Sequence, residues 1–468
     1  MSVLVVLLCL AALIFVAYRG YSVILFAPIV ALGAVFLFQP ISTFPAYTHL
    51  FMDKASFFFK MYFPTFLLGA IFGKVVELSG FAKSICAALF RLVGKKNVVL
   101  AIVLVTAILS YGGVSAFVLV FAIYPFASEM FRMGQIPKRL IPGVIWFGGI
   151  TFTMDALPGS PQIQNIIPTS FFKTNAYAGP WLGVIGSIFI LALGLIYFEW
   201  QRRKALAANE PYDSGWKLVN EPEPYTDTHL PNPWIATLPL VVVWVLNYVF
   251  TMRMTSIFGQ EFSLSLPGMK APIIIDVAGM TGLWAVELAL VFAIITVFLF
   301  AWKQVVPRFN EGCKAAISGC LLAITNTASE FGYGSIIAVL PGFLLLSRSL
   351  KTAIPNPLLS EAISVQLLAG IVGSASGGLS IALGAMSDVY IAAANAAHIP
   401  LEVAHRVASM ASGGMDSLPH NGAVITMLAI TGLTHRQAYK HIFACTIIKT
   451  VAVFFVIAVY YLFRGHII

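Results

Sequence analysis

The sequence predicts an all-α polytopic membrane protein with two inverted-topology repeats, each holding a re-entrant hairpin and a broken (unwound) transmembrane helix. Three observations carry this. Of 468 residues, 59% are hydrophobic and 10% charged, where a soluble domain carries roughly 25% charge. Apolar runs such as 3–17 and 283–302 are almost continuous, whereas barrel strands alternate over ~10 residues, so the spans are helices. Finally, the phrase Met-Asp-x-Leu-Pro occurs twice, each time in similar surroundings.

Taken in order, apolar stretches of about 17–25 residues fall at 2–18, 21–39, 57–79, 181–200, 234–252, 280–302, 313–346 and 443–463. The first lacks a basic n-region and cleavage site, so it reads as a retained span rather than a signal peptide. The segment 313–346 is too long for one crossing and reads as broken at its glycines. Regions 98–127, 139–172 and 360–432 are apolar but punctuated. The polar stretch 201–232 opens with Arg202-Arg203-Lys204 and reads as a cytoplasmic linker; 255–272 reads as an exposed loop on the opposite side.

The net charge of +9 sets orientation rather than marking a nucleic-acid surface, because the basic residues sit in short loops between spans. With 202–204 inside, alternation places Lys83, Arg91, Lys95, Lys96, Arg132, Lys138, Arg139, Lys303, Arg308, Arg436 and Lys440 inside as well. Lys54, Lys173, Arg253, Lys270, Arg348, Lys351 and Arg406 fall outside, a bias of about two to one, and both termini become extracytoplasmic. The five cysteines form no CxxC pair. Cys313 and Cys320 lie ~10 Å apart on one helix, too far for a disulfide.

The self-match organises the rest. Met154–Pro158 recurs as Met415–Pro419; Gln135-Ile136-Pro137 recurs as His398-Ile399-Pro400; and the Gly/Ser-rich Tyr111–Ser115 has its counterpart in Ser374–Gly378. Basic residues precede the first Met-Asp phrase (Arg132, Lys138, Arg139) and follow the second (His435, Arg436, Lys440), so one span runs in-to-out and the other out-to-in. The chain therefore divides into N-terminal scaffold spans (1–54), repeat 1 (55–200), a linker (201–233), further scaffold spans (234–310) and repeat 2 (311–468). Hairpins are expected at 98–127 and 360–395, and broken helices at 139–172 and 403–432.

Unpaired backbone in lipid costs several kcal/mol per group, so the breaks 155–161 and 416–422 must be buried or line a cavity. Paired breaks in two halves point to a transport site. Ser160 before Pro161, and Asn421 in the second break, read as N-caps of half-helices whose positive ends would meet an anion at the midplane. Candidate substrate contacts are Ser110, Gly112, Gly113, Ser115, Asp155, Gly159, Ser160, Ser374, Ser376, Gly377, Gly378, Asp416, Ser417, His420 and Asn421. Intramembrane ionisable groups are rare and functional by default, which makes Glu330, Asp155, Asp416 and His420 candidates for carrying a proton. Capping alone would satisfy the aspartates. Lys74 and Glu77 are read as a helix-face ion pair. No arginine falls within either break, so dipoles rather than a guanidinium clamp are expected to hold the cargo.

The run Gly413–Thr426, Tyr18-Arg19-Gly20 and Ser110–Gly113 resemble the gluconate permease (GntP) family of the ion transporter superfamily, along essentially the whole chain. The second-break run looks closer to the hydroxybutyrate-permease-like branch than to the sugar-acid branch, which carries a His-x-Asn-Asp-Ser stretch there. The resemblance implies proton-coupled uptake of a small carboxylate across a bacterial inner membrane, with no cofactor beyond the coupling proton. It also implies a homodimer with an elevator-type transport domain. An embedded enzyme is disfavoured by the lack of HExxH, GxSxG or GxGD-type runs, and a channel by the inverted halves. Gly69–Lys74 is too short for a Walker A loop.

Overall fold

A computed structural model of the chain describes residues 2–18, 21–93, 97–114, 116–219, 221, 230–343, 345, 354–419 and 421–463. Its helices are α1 (Ser2–Tyr18), α2 (Val23–Phe38), α3 (Met52–Leu78), α4 (Phe81–Val93), α5 (Val98–Tyr111), α6 (Ala116–Met133), α7 (Ile141–Gly149), α8 (Ile163–Phe172), α9 (Pro180–Ala207), α10 (Pro233–Phe258), α11 (Val277–Val339), α12 (Pro357–Val372), α13 (Ala375–Ala396), α14 (Leu401–Ser412), α15 (Gly422–Thr431) and α16 (His435–Leu462). Six helical stretches among the described residues are long and apolar enough to cross a membrane. A small antiparallel ribbon, β1 (Glu261–Leu264) with β2 (Ile273–Asp276), forms the loop between α10 and α11.

Helices α3 and α11 pack extensively along each other. A straight helix over 277–339 would be ~95 Å long, far beyond the ~30 Å hydrocarbon core. Ala301 breaks it with non-helical angles, and the rings of Phe298 and Phe309 meet at 5.0 Å, which requires the chain to fold back. Thr65 on α3 donates to Glu287 on the first arm at 2.8 Å, while Gly312 and Gly332 on the second arm lie against Lys74/Leu78 and Phe51. The expected breaks at the glycines of 313–346 are therefore corrected: the helix runs through Gly319, Gly332 and Gly334 and ends at Val339, before Gly342. The missing side chains of Gly332 and Gly334 let Phe51, just before α3, and Ile381 of α13 approach, as small residues do at membrane interfaces.

Each repeat contributes a hairpin and an interrupted span, entered from opposite faces. The linker marks one face: Lys138 and Arg132 pair with Glu221, and Arg139 with Glu210. Hairpin α5/α6 returns to that face, and α7 starts there. On the opposite face, Asn356 at the start of α12 accepts from Tyr461 at the end of α16, and the first turns of α14 lie against the 174–179 loop. The repeats are inverted. Both hairpin tips turn on a left-handed glycine, Gly113 (φ +93°) and Gly373 (φ +69°), a conformation that costs residues with a Cβ about 1–2 kcal/mol.

The linker closes its face as a strap. Arg139 donates through Nε and Nη2 to Glu210 at 2.6 and 2.7 Å, and through Nη1 to His441 of α16 at 2.6 Å. Tyr212 meets Ser128 of α6 at 2.6 Å. Lys74 and Glu77 pair at 2.9 Å. The Arg139 guanidinium holds the Glu210 carboxyl below the usual carboxylate range. Its stabilisation is thus present at neutral pH and fades as pH falls below about 4.3, the ordinary Glu value. Glu210→Gln is expected to cost about 1.5–3 kcal/mol at pH 7, read as a lower unfolding temperature in detergent, with the gap to wild type narrowing near pH 4.

Candidate ion and cargo site between the two breaks

The first break runs from α7 through Ile150 and Thr151, a short helical turn over Phe152–Asp155, and an irregular stretch to α8. It is tied to hairpin 1 by side chains that replace the missing helical bonds. Ser110 Oγ donates to Gly149 O (2.6 Å), Tyr111 Oη to Pro158 O (2.6 Å), and Gln162 Nε2 to Ser110 O (2.7 Å) and Val114 O (3.2 Å). Ser160 Oγ donates to Thr153 O at 2.6 Å. The residue at the N-cap of α8 is Gln162 rather than Ser160, so the expected role of Ser160 is corrected: its hydroxyl closes the break from within. In the second break Asn421 does cap α15, accepting from the N–H groups of Ala423 (2.6 Å) and Val424 (3.1 Å), and its amide donates to Asp416 O.

The two repeated aspartates converge. Asp155 Oδ2 lies 2.8 Å from Lys449 Nζ and Asp416 Oδ1 lies 3.6 Å from it, all three side chains being at most 4% exposed. The ammonium also donates to Ile150 O at 3.2 Å. Gly413 makes this meeting possible, since a Cβ there would collide with both Asp155 Oδ2 and Lys449 Nζ. Ser417 pairs with Thr446 of α16, and Thr450 donates to Gly414 O at 3.1 Å. Lys449 was not among the sequence candidates, although a lone lysine inside the apolar stretch 443–463 is a signal of this kind.

A second cation crosses between the repeats. Arg406 of α14, expected on the extracytoplasmic side, is buried at 0% exposure. Its guanidinium donates to Asp155 O (3.1 Å), Asn165 Oδ1 (2.9 Å), Ala176 O (3.4 Å) and Ala178 O (2.8 Å). Asn165 in turn donates to Ser160 O and Ala176 O, both at 2.8 Å, and Ser409 donates to Asp155 O at 2.8 Å. The expectation that no arginine enters the breaks is thus overturned. The reason is physical: the irregular backbone around 155–178 leaves several carbonyls without helical partners, and one planar five-donor group serves them together.

The remaining candidates are spread around this centre. Gly112 and Gly113 face scaffold residues Leu240 and Leu290, and Gly159 O accepts from Asn247 of α10 at 3.1 Å. At the second tip, Ser374 caps α13 by accepting from Gly377 N (3.1 Å), with Ser376 3.4 Å away, and Gly378 packs on Ala369. Glu330 sits on the second arm of α11, buried, its Oε2 without a hydrogen bond among the described residues; no described contact joins it to Lys449. Glu361 on α12, which the sequence reading passed over, is also buried with an unpartnered Oε1. Ser115 and His420 lie outside the described residues.

The chain is 53% identical to the uncharacterized transporter YxjC of Bacillus subtilis (strain 168), over 98% of this chain and 99% of that one. It belongs to that family of transporters. It is also 24% identical to an uncharacterized permease of Haemophilus influenzae, over 57% of this chain and 53% of that protein. Its fold is similar to that of the YdaH transporter of Alcanivorax borkumensis, whose crystal structure has an unusual topology: TM-score 0.57, 13% identity and 89% coverage of both chains. No family model matches the sequence. The chain is a multi-pass membrane transporter.

Removing the bridging guanidinium leaves several buried carbonyls unpaired. Arg406→Met is expected to cost about 3–5 kcal/mol, read as a markedly lower unfolding temperature in detergent. Arg406→Lys should recover only part, because an ammonium cannot span the same fork of acceptors.

Proposed function

We propose that this transporter is a proton-coupled symporter of a short hydroxy-monocarboxylate such as 3-hydroxybutyrate, working across a bacterial inner membrane with both termini periplasmic. The observation that carries the coupling is the charge sum at the centre. Asp155, Asp416, Lys449 and Arg406 contribute two negative and two positive charges, all buried. A carboxylate cargo would add one uncompensated negative charge, and a central charge costs at least ~2.5–3.5 kcal/mol in the membrane interior. A proton carried along restores neutrality. We assign that proton to Asp416, whose carboxylate lies farther from the ammonium than that of Asp155.

The cargo class rests on the resemblance of Gly413–Thr426 to the hydroxybutyrate-permease-like branch of the GntP family and on the half-helix N-termini of α8 and α15. The positive dipole ends there suit a carboxylate. The breaks and hairpins would move as one body against α3, α10 and α11 in a homodimeric elevator, carrying the neutralised centre with them.

In proteoliposomes, an inward proton gradient is expected to raise uptake of labelled 3-hydroxybutyrate several-fold, with excess unlabelled gluconate leaving it intact. Asp416→Asn should abolish the gradient effect while retaining exchange of label against unlabelled acid. Uptake of gluconate in place of the label would transfer the same mechanism to sugar acids; uptake indifferent to the gradient would overturn the coupling.

A further inference from the structure

The oxygens around Lys449 Nζ are two aspartate carboxylates, one from each repeat, and the carbonyl of Ile150, at 2.8, 3.6 and 3.2 Å. Hard oxygen donors of this kind, part carboxylate and part backbone carbonyl, are the ligands that alkali and alkaline-earth cations take. Broken helices in transporters offer them to coupling ions at the midplane. Asp155 Oδ1 and Asp416 Oδ1 accept no hydrogen bond among the described residues, and Asp416 Oδ1 is itself the oxygen 3.6 Å from the ammonium, so the two buried carboxylates keep spare coordinating capacity. The lysine enters from α16, outside both breaks, and its Nζ lies where the two breaks meet at Gly413.

We propose that this centre is a monovalent-cation site whose occupant is the tethered ammonium of Lys449, and that the wild-type protein therefore needs no sodium ion. Emptying the position should expose a latent sodium site. The inference rests on the transporter reading but not on its cargo: the charge holding the two breaks together is carried by the chain itself, which leaves the proton as the mobile charge.

The test uses the purified full chain in detergent, comparing sodium chloride with choline chloride at equal ionic strength. Wild type should unfold at the same temperature in both and bind no radioactive sodium. Lys449→Ala should unfold at a lower temperature in choline chloride and regain several degrees, saturably, in sodium chloride, with about one sodium bound per chain. Adding Asp155→Asn to that variant should remove the gain. If Lys449→Ala yields no folded protein in either salt, Lys449→Gln, which preserves most of the packing, takes its place. Equal unfolding in both salts and no bound sodium in the folded variant would overturn the proposal, as would sodium binding by wild type. Because melting and ion binding are read without transport, failure of 3-hydroxybutyrate uptake would strike the cargo assignment and leave this result standing.

Discussion

An ionised side chain in the membrane interior has no water to solvate it, and the arrangement of this molecule follows from how it meets that constraint. Asp155 and Asp416 occupy the same place in two inverted repeats, and neither could stand alone in the membrane interior. The ammonium of Lys449 lies between them, with the carbonyl of Ile150 as a third acceptor. Removing one member of such a buried set leaves the others uncompensated, which costs far more than the set contributes when complete. The triad is thus a reason for the two breaks to stay together, and it fixes the register of α16 against both.

Backbone polarity imposes the second demand. Each break frees carbonyls and N–H groups that lipid cannot satisfy, and side chains from elsewhere serve them: Ser110, Tyr111 and Gln162 between hairpin 1 and the first break, Asn421 within the second, and Arg406 across the repeats. Arg406 and Asp155 bind one another's surroundings without a direct pair, since the guanidinium takes the Asp155 carbonyl and leaves the carboxylate to Lys449. This division keeps the carboxylate available to a cation or proton.

Much of this was legible in the residue order. The duplicated Met-Asp-x-Leu-Pro phrase, the Gly/Ser tips and the reversed basic flanks point to inverted halves, because each encodes a local requirement: a break, a tight turn, an orientation. What escaped was long-range. Lys449 lies in an otherwise apolar stretch, and nothing local tells which carboxylates a lysine there will meet. Alternation of charges places Arg406 on the extracytoplasmic side, yet it packs against the 176–178 carbonyls of the other repeat. The turn-back between the two arms of α11, at Ala301 with Pro307 in the same stretch, falls in the gap expected between the spans 280–302 and 313–346, whereas glycines of the following arm, which looked like breaks, are packing sites. The N-cap at Asn421 was readable because capping is local; at Ser160 the same reasoning set the helix start too early, since α8 opens only at Ile163 and Ser160 Oγ accepts from Gln162 N at 3.4 Å in the turn before it.

The claim that an ion centre joins the two repeats is tested most directly by a double-mutant cycle on stability. Unfolding free energies would be compared for wild type, Asp416→Asn, Lys449→Met and the double variant, in sodium-free detergent solution. If Lys449 bridges the repeats, the two losses are strongly non-additive, with a coupling of at least about 1 kcal/mol and the double variant more stable than Lys449→Met alone. Losses that simply add would contradict the account, because Lys449 and Asp416 would then be buried independently and no shared charge would tie the second break to the first.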